Sequence, residues 1–426
     1  MTKKNQSKWV VIVHFVLWAA LSLWVISFLM PILRYGSPFG ITLPAPENGQ
    51  SHVDFTIVDF PFIFNFAQKT WTHQTTVSSG SSIYSVENHL KVTSDWAGQK
   101  VEHSLHFGYS PTMLWLLAPL TRFSPATAYL IFNIAGLFAV FWITRPNRCR
   151  WGIGLLSFYS PIAQRCFVLG QNSILAGACL LYLAEKNQPD SLDHGWRNSL
   201  LSGAVLWALT AKPTIALLGI AVLAGLRRWH TILAAIIFTV ISTTVITPWL
   251  GPNWIKDYLH ILKMYNMIEA GPVFSWSISP ETMANLRAIM NTDLGFPDNI
   301  ASYTSAIVWL IMLATIVVFG FKSRLSASSL WAISILSYLL FCPHVGSTEV
   351  LQVLVILSLC VSPKDKLSWH ELTLFVTLSL IVFTYPFPES LVNTHLPLFL
   401  TQLFLFIFIA AVKKSSPSTN LAEQMR

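Results

Sequence analysis

Apolar residues in this chain come in long uninterrupted runs rather than in the alternating or one-faced stripes of half-buried elements. Runs of bilayer length, or slightly less, occupy 9–33, 126–144, 151–163, 172–184, 199–211, 213–226, 231–248, 304–321, 328–341, 350–361, 372–385 and 398–412. One helix needs about 20 apolar residues to cross a hydrocarbon core. The pattern therefore predicts an all-α, polytopic transmembrane bundle of twelve spans. A thirteenth run, 111–120, is too short to cross and ends at Arg122, which suits a helix lying on the membrane surface. The first run follows Lys3, Lys4 and Lys8. It exceeds a signal-peptide core of about 7–15 residues and no small-residue cleavage site follows, so it reads as a retained first helix. Two connectors are longer than ordinary, 34–125 and 251–303, and a tail of 413–426 follows the last run. Loops of that length are usually functional or disordered.

Composition narrows the class. Of 426 residues, 53% are apolar and 11% charged, against roughly a quarter charged in an ordinary soluble domain. The whole chain, 1–426, reads as one integral membrane domain, with no stretch left over for a soluble one. The five cysteines are scattered, without zinc or disulfide spacing, and read as small core residues. Charge then orients the spans. With 111–120 on the outer surface, 17 of the 27 basic residues fall in inner segments and 13 of the 19 acids fall outside. That is the positive-inside distribution, and it places both termini in the cytoplasm. If 111–120 crossed instead, the clusters at 145–150 and 227–228 could not share a side with the N-terminus. The net charge of +8 is thus a topology signal. No nucleic-acid surface is indicated, because the basic residues are spread over short loops rather than gathered on one face.

Candidate chemistry gathers on the outer side. The first long connector holds Asp54 and then an aromatic stretch, 59–67, led by Asp59. It suits a short amphipathic helix in the headgroup region, and Asp59 at its start is either a cap favoured by the helix dipole or a general base. Tyr109, just before Pro111, belongs to an aromatic belt where a proline opens a helix, and its phenol could reach a phosphate or sugar. Gln171 and Asn172 form a polar turn after Gly170, with Arg165 at the hydrocarbon edge, where a cation snorkels, pairs or faces a cavity. Lys212 sits between two apolar runs, either snorkelling or lining a site. Asn285 and Arg287 fall in an amphipathic stretch of the second long connector, and His344 and Glu349 flank a break after Pro343. Together Asp59, Arg165, Lys212, Arg287 and His344 put one acid and four potential cations on one face. That set suits a hydroxyl acceptor activated by a carboxylate while cations receive a departing phosphate. No metal or other cofactor is called for, since no Asp-X-Asp pair appears in the first outer connector.

The order of these motifs resembles one family. Asp59–Ala67, Tyr109-Ser110-Pro111 with Pro119-Leu120, Leu169-Gly170-Gln171-Asn172, Ser202-Gly203, Ala211-Lys212-Pro213, Arg227-Arg228-Trp229, Asn285-Leu286-Arg287 and Pro343-His344 follow one another as in the polytopic mannosyltransferases of glycosyltransferase family 87, of the GT-C class. The similarity covers roughly residues 10–360, and the last two runs carry no motif. The resemblance implies a GT-C-like fold with surface helices on the outer face of the cell membrane. It implies transfer of a hexose, typically mannose, from a polyprenyl-phosphate donor to a glycan or glycolipid hydroxyl of the cell envelope, with the lipid bilayer as a partner. By the resemblance Asp59 is the base, with Asp54 the competing position, and Gln171, Lys212 and His344 surround the donor phosphate and sugar. Arg165, Tyr109, Asn285 and Arg287 follow more loosely. After His344 the chain departs: Val345-Gly346-Ser347 stands where a second histidine or a tyrosine often follows, which leaves the sugar open. Two other readings share the basic outer face: a transporter or flippase of lipid-linked sugars, and a ligase or polymerase of lipid-linked glycans. Internal repeats and mid-span polar residues would mark the transporter, and independence from an early-loop aspartate would mark the ligase.

Overall fold

The computed structural model describes residues 3–34, 41–42, 53–54, 59–72, 82–97, 107–144, 163, 166–167, 170–188, 195–265, 283, 285–322, 325–360, 400, 402–407 and 409. The fold is helical. In chain order come α1 (Lys3–Arg34), α2 (Asp59–Trp71), α3 (Val86–Ala97), α4 (Pro111–Leu117), α5 (Pro125–Thr144), α6 (Ser173–Lys186), α7 (Trp196–Leu209), α8 (Pro213–Gly225), α9 (Trp229–Leu250), α10 (Trp254–Tyr265), α11 (Asp298–Phe321), α12 (Ala327–Phe341) and α13 (Val353–Cys360). A two-residue antiparallel ladder in the first long connector joins β1 (Ile41–Thr42) to β2 (Val53–Asp54), so Asp54 stands opposite Ile41.

Among the described residues α5, α9 and α11 are long and apolar enough to cross a membrane. Residues 11–26 of α1, with α8 and α12, are shorter apolar helices. Of the remaining runs, 151–163 and 372–385 lie outside the described residues, apart from Ala163, and 398–412 is described only in part. The runs shift at their polar ends. α11 starts at Asp298, ahead of the apolar run at 304, because Pro297 precedes it and an acid in a first turn complements the helix dipole. Run 350–361 divides into a 3₁₀ helix, Ser347–Gln352, and α13. Run 111–120 becomes α4 plus the 3₁₀ turn Ala118–Arg122. α4 is too short to cross at 1.5 Å per residue.

Close helix packing rests on small residues. A methyl added at Gly320 of α11 would lie 2.7 Å from Cα of Gly225 on α8, and one at Gly203 of α7 would lie 2.5 Å from Cβ of Ala234 on α9. Such contacts let backbones approach where lipid offers no hydrophobic drive for association. The outward faces of α9 and α11 stay apolar and exposed: Leu233, Ile237, Val240, Ile307, Leu310 and Ile311. The aromatic face of α2 turns the other way. Phe60, Phe64 and Phe66 are buried in protein against Tyr129, Phe132, His89 and Phe107 rather than in headgroups.

The two ends of the bundle differ in charge. At one end Lys186, Arg197, Arg227, Arg228 and Lys322 cluster near the connections of α6–α7, α8–α9 and the C-terminus of α11. Arg227, with φ 58, donates to Phe321 O at 3.2 Å and lies over the Phe321 ring, while Arg228 donates to Gln188 O. At the other end meet the starts of α6, α8 and α11 and the ends of α7, α9 and α12. The connectors cover that end through Ile83 N–H to Leu250 O (3.0 Å) and Ser82 to Asp257.

Candidate active site

Lys212 is placed by a proline. The residue before proline favours extended backbone, and Lys212 (φ −120°, ψ 93°) breaks the chain between α7 and α8, with Pro213 opening α8. The segment before α4 is fastened to this break. Ser110 caps α4 by accepting from Thr112 N–H, donates its hydroxyl to Thr210 O at 2.7 Å, and gives its amide to Ala211 O at 3.2 Å. Thr112 and Thr210 share a hydroxyl contact at 2.8 Å. Tyr109, partly buried, therefore stands beside Lys212's turn, and its carbonyl accepts the Tyr84 hydroxyl at 3.1 Å.

The turn before α6 brings in two more elements. Gly170 has φ +62°, and an added methyl would lie 2.4 Å from Cβ of Phe60, so only glycine lets α2 start there. Asp59 is the first residue of α2, which sets its backbone beside the Gly170-Gln171 turn. The Asp59 side chain lies outside the described residues, as does Arg165. Gln171 donates its backbone N–H to Cys166 O at 2.9 Å. Behind it, Gln352 donates to Ser173 O at 2.7 Å and Ser173 reaches the Thr348 hydroxyl at 3.5 Å. These bonds clamp the Ser347–Gln352 helix to the start of α6. Glu349 on that helix ion-pairs with Lys212.

Arg287 is fully buried. Its Nε and Nη2 each donate to the Asp298 carboxylate at 2.8 Å, and Nη1 donates to Pro343 O at 3.2 Å. Asn285 caps the same turn through Ala288 N–H and donates to Cys342 O at 2.8 Å. The two side chains read off as ligand groups thus hold the backbone of the 342–344 loop. His344, partly buried at the tip of that loop, is pushed down to about 3 by burial and then by the positive fields of Arg287 and Lys212. Its imidazole is neutral near pH 7.

A cavity of about 440 Å³ opens between α4, α5, α6 and α7. Its wall is apolar, with Met113, Leu117, Phe132 and Leu175 among the lining, and its polar groups are Asn172 and Lys212. Asn172 precedes α6 but makes no side-chain cap to it. The volume falls in the range of small-molecule sites, about 300–1,000 Å³. An apolar chamber ending at an ammonium group fits an amphiphile with an anionic head.

Of the residues singled out in the sequence, Tyr109, Gln171, Lys212, Asn285, Arg287 and His344 collect at one end of the bundle, with the backbone of Asp59. The sequence reading missed Asp298, although it follows Arg287 in the same long connector. The packing defines a polytopic helical membrane protein with an apolar cavity that ends at Lys212. The family model of glycosyltransferase family 87 matches residues 107–343, more than half of the chain. The chain belongs to that family and is a glycosyltransferase. Neither a curated protein nor a solved structure matches it.

Proposed function

We propose that this protein transfers a hexose, mannose by the resemblance, from a polyprenyl phosphate to a glycan or glycolipid hydroxyl at the outer face of the cell membrane. The observation that carries the reading is the apolar cavity that ends at Lys212: a prenyl tail would occupy the chamber and its phosphate would meet the ammonium. Asp59 is the base that takes the proton from the acceptor hydroxyl. The hydroxyl oxygen then attacks the anomeric carbon from the face opposite the phosphate, the sugar–phosphate bond breaks, and configuration inverts. A retaining route needs a second carboxylate as nucleophile, about 5 Å from the first. Glu349 is an acid near this end, but it is buried and engaged by Lys212, which favours single displacement. Neutral His344 serves as a hydrogen-bond donor to the sugar or phosphate, and Tyr109 and Gln171 flank the same space. In the reading of twelve spans with both termini cytoplasmic this end lies outside, and the basic cluster at the opposite end supports that orientation.

The test is transfer by purified protein in lipid, offered radiolabelled polyprenyl-phosphate mannose and a mixed glycolipid acceptor pool, for wild type and Asp59→Asn. Product from wild type and none from Asp59→Asn is expected. Retained activity in Asp59→Asn would move the base to Asp54. No product from wild type, with the glucose and galactose donors also inert, would refute the donor assignment and favour a transporter or a ligase.

A further inference from the structure

Lys212 reaches the cavity already carrying a fixed counter-ion. Its side chain is 22% exposed and that of Glu349 is 2% exposed. Glu349 has little freedom to leave. Its 3₁₀ helix is clamped to α6 by Gln352 and Thr348, and a methyl at Gly346 would come within 3.0 Å of its Oε2. Among the described residues, Arg287 is bound to Asp298 behind the 342–344 loop, and His344 is neutral. Among the described residues, the charged end of the cavity is therefore the Lys212–Glu349 ion pair.

That fixed carboxylate matters because donor and spent lipid differ in charge. A polyprenyl phosphosugar is a phosphodiester with one negative charge. In the transfer the acceptor oxygen forms the new bond to the anomeric carbon, its proton goes to Asp59, and the electron pair of the broken bond stays on the phosphate. The product is a phosphomonoester, whose second pKa near 6 gives it a charge of about −1.5 to −2 at pH 7. Lys212 can answer the first charge. The second meets the Glu349 carboxylate.

Resting on the donor reading above, we propose that Glu349 is a specificity-determining residue: it makes the head-group site accept a singly charged phosphodiester and expel the more highly charged phosphomonoester left by the transfer. Like charges about 5 Å apart in a partly screened interior repel enough for a discrimination on the order of 10- to 100-fold. Product release is then driven by the charge that the reaction itself creates.

The experiment measures donor KM and the inhibition constant of sugar-free polyprenyl monophosphate in wild type and Glu349→Gln. The ratio of that inhibition constant to KM is expected to fall at least tenfold in Glu349→Gln, with progress curves that stall early. A ratio unchanged, or both constants moving in parallel as a merely structural lesion would move them, overturns the proposal. Should Glu349→Gln fail to fold, wild type decides alone. Its inhibition constant should rise several-fold from pH 5.5 to 7.5 as the monoester gains its second charge. Among the described residues the charged and titratable side chains around the head-group site are Lys212 with Glu349, Arg287 with Asp298, and His344, which stays neutral across that range, and the proposed base Asp59 joins them. A flat or falling constant overturns the proposal. Wild type inert toward every polyprenyl phosphosugar would sink the donor reading and this inference with it, whereas normal turnover with an unchanged ratio sinks only the role of Glu349.

Discussion

Asp298→Asn removes a charge and keeps a shape. The Arg287 side chain is 0% exposed and that of Asp298 12% exposed, and two bonds of 2.8 Å join them in the fork geometry that guanidinium and carboxylate favour. Breaking one partner of a buried pair costs about 3–5 kcal/mol, because the charge left behind has no counter-ion. The asparagine oxygen can keep one of the two bonds, so a loss of about 3 kcal/mol, the low end of that range, is expected. Arg287→Met with Asp298→Leu removes the pair without leaving a charge behind. The double variant should therefore be more stable than the sum of the single losses predicts, with a coupling of about 2 kcal/mol. Unfolding titrated with denaturing detergent in mixed micelles would measure all four corners of the cycle. A loss below about 1 kcal/mol for Asp298→Asn, or strict additivity, would refute the reasoning, since either means that the pair is solvated. Transfer activity should separate from stability. The double variant lacks the Arg287 bond to Pro343 O, so it should regain stability without regaining turnover.

Three further outcomes are expected. Gly170→Ala forces a left-handed residue to carry a side chain and drives its methyl into Phe60, so transfer should fall more than about tenfold while circular dichroism stays helical. Ser110→Ala loses the cap of α4 and the bond to Thr210, costing about 1–2 kcal/mol by thermal unfolding and raising donor KM through the Lys212 turn. The His344 imidazole resists protonation down to about pH 3 when folded, whereas an unfolded histidine takes its proton near 6.5. Its contribution is present above about pH 6.5 and is lost as pH falls toward 3, so stability should decline across that window and His344→Gln should flatten the decline.

Much of the frame could be read from apolar runs alone, because a helix in lipid must be apolar over most of its length. α5, α8, α9 and α12 start or end within a few residues of the runs at 126–144, 213–226, 231–248 and 328–341. Polar boundaries were harder. Hydropathy is silent about Asp298 joining α11 early, because a charged residue adds nothing to an apolar run, whatever partner it finds eleven positions back. The candidate site was legible as residue types and poorly legible as roles. Arg287 and Lys212 look alike in a sequence, yet one is sunk behind a loop with its carboxylate and the other lines a cavity. Nothing in the spacing of Lys212 and Glu349 announces their pairing. It arises from the way α6 carries the Ser347–Gln352 helix.

The bonds that assemble the site span great lengths of chain. Ser110 finds Thr210 across 100 residues, and Gln352 finds Ser173 across 179. During synthesis the early aspartate, the glycine turn and the lysine all enter the membrane before the helix that carries Glu349 has left the ribosome. The nascent protein thus holds Lys212 without its Glu349 partner until the later helices are inserted, and a chain truncated before Ser347 would keep every early motif and lack the clamp on the start of α6.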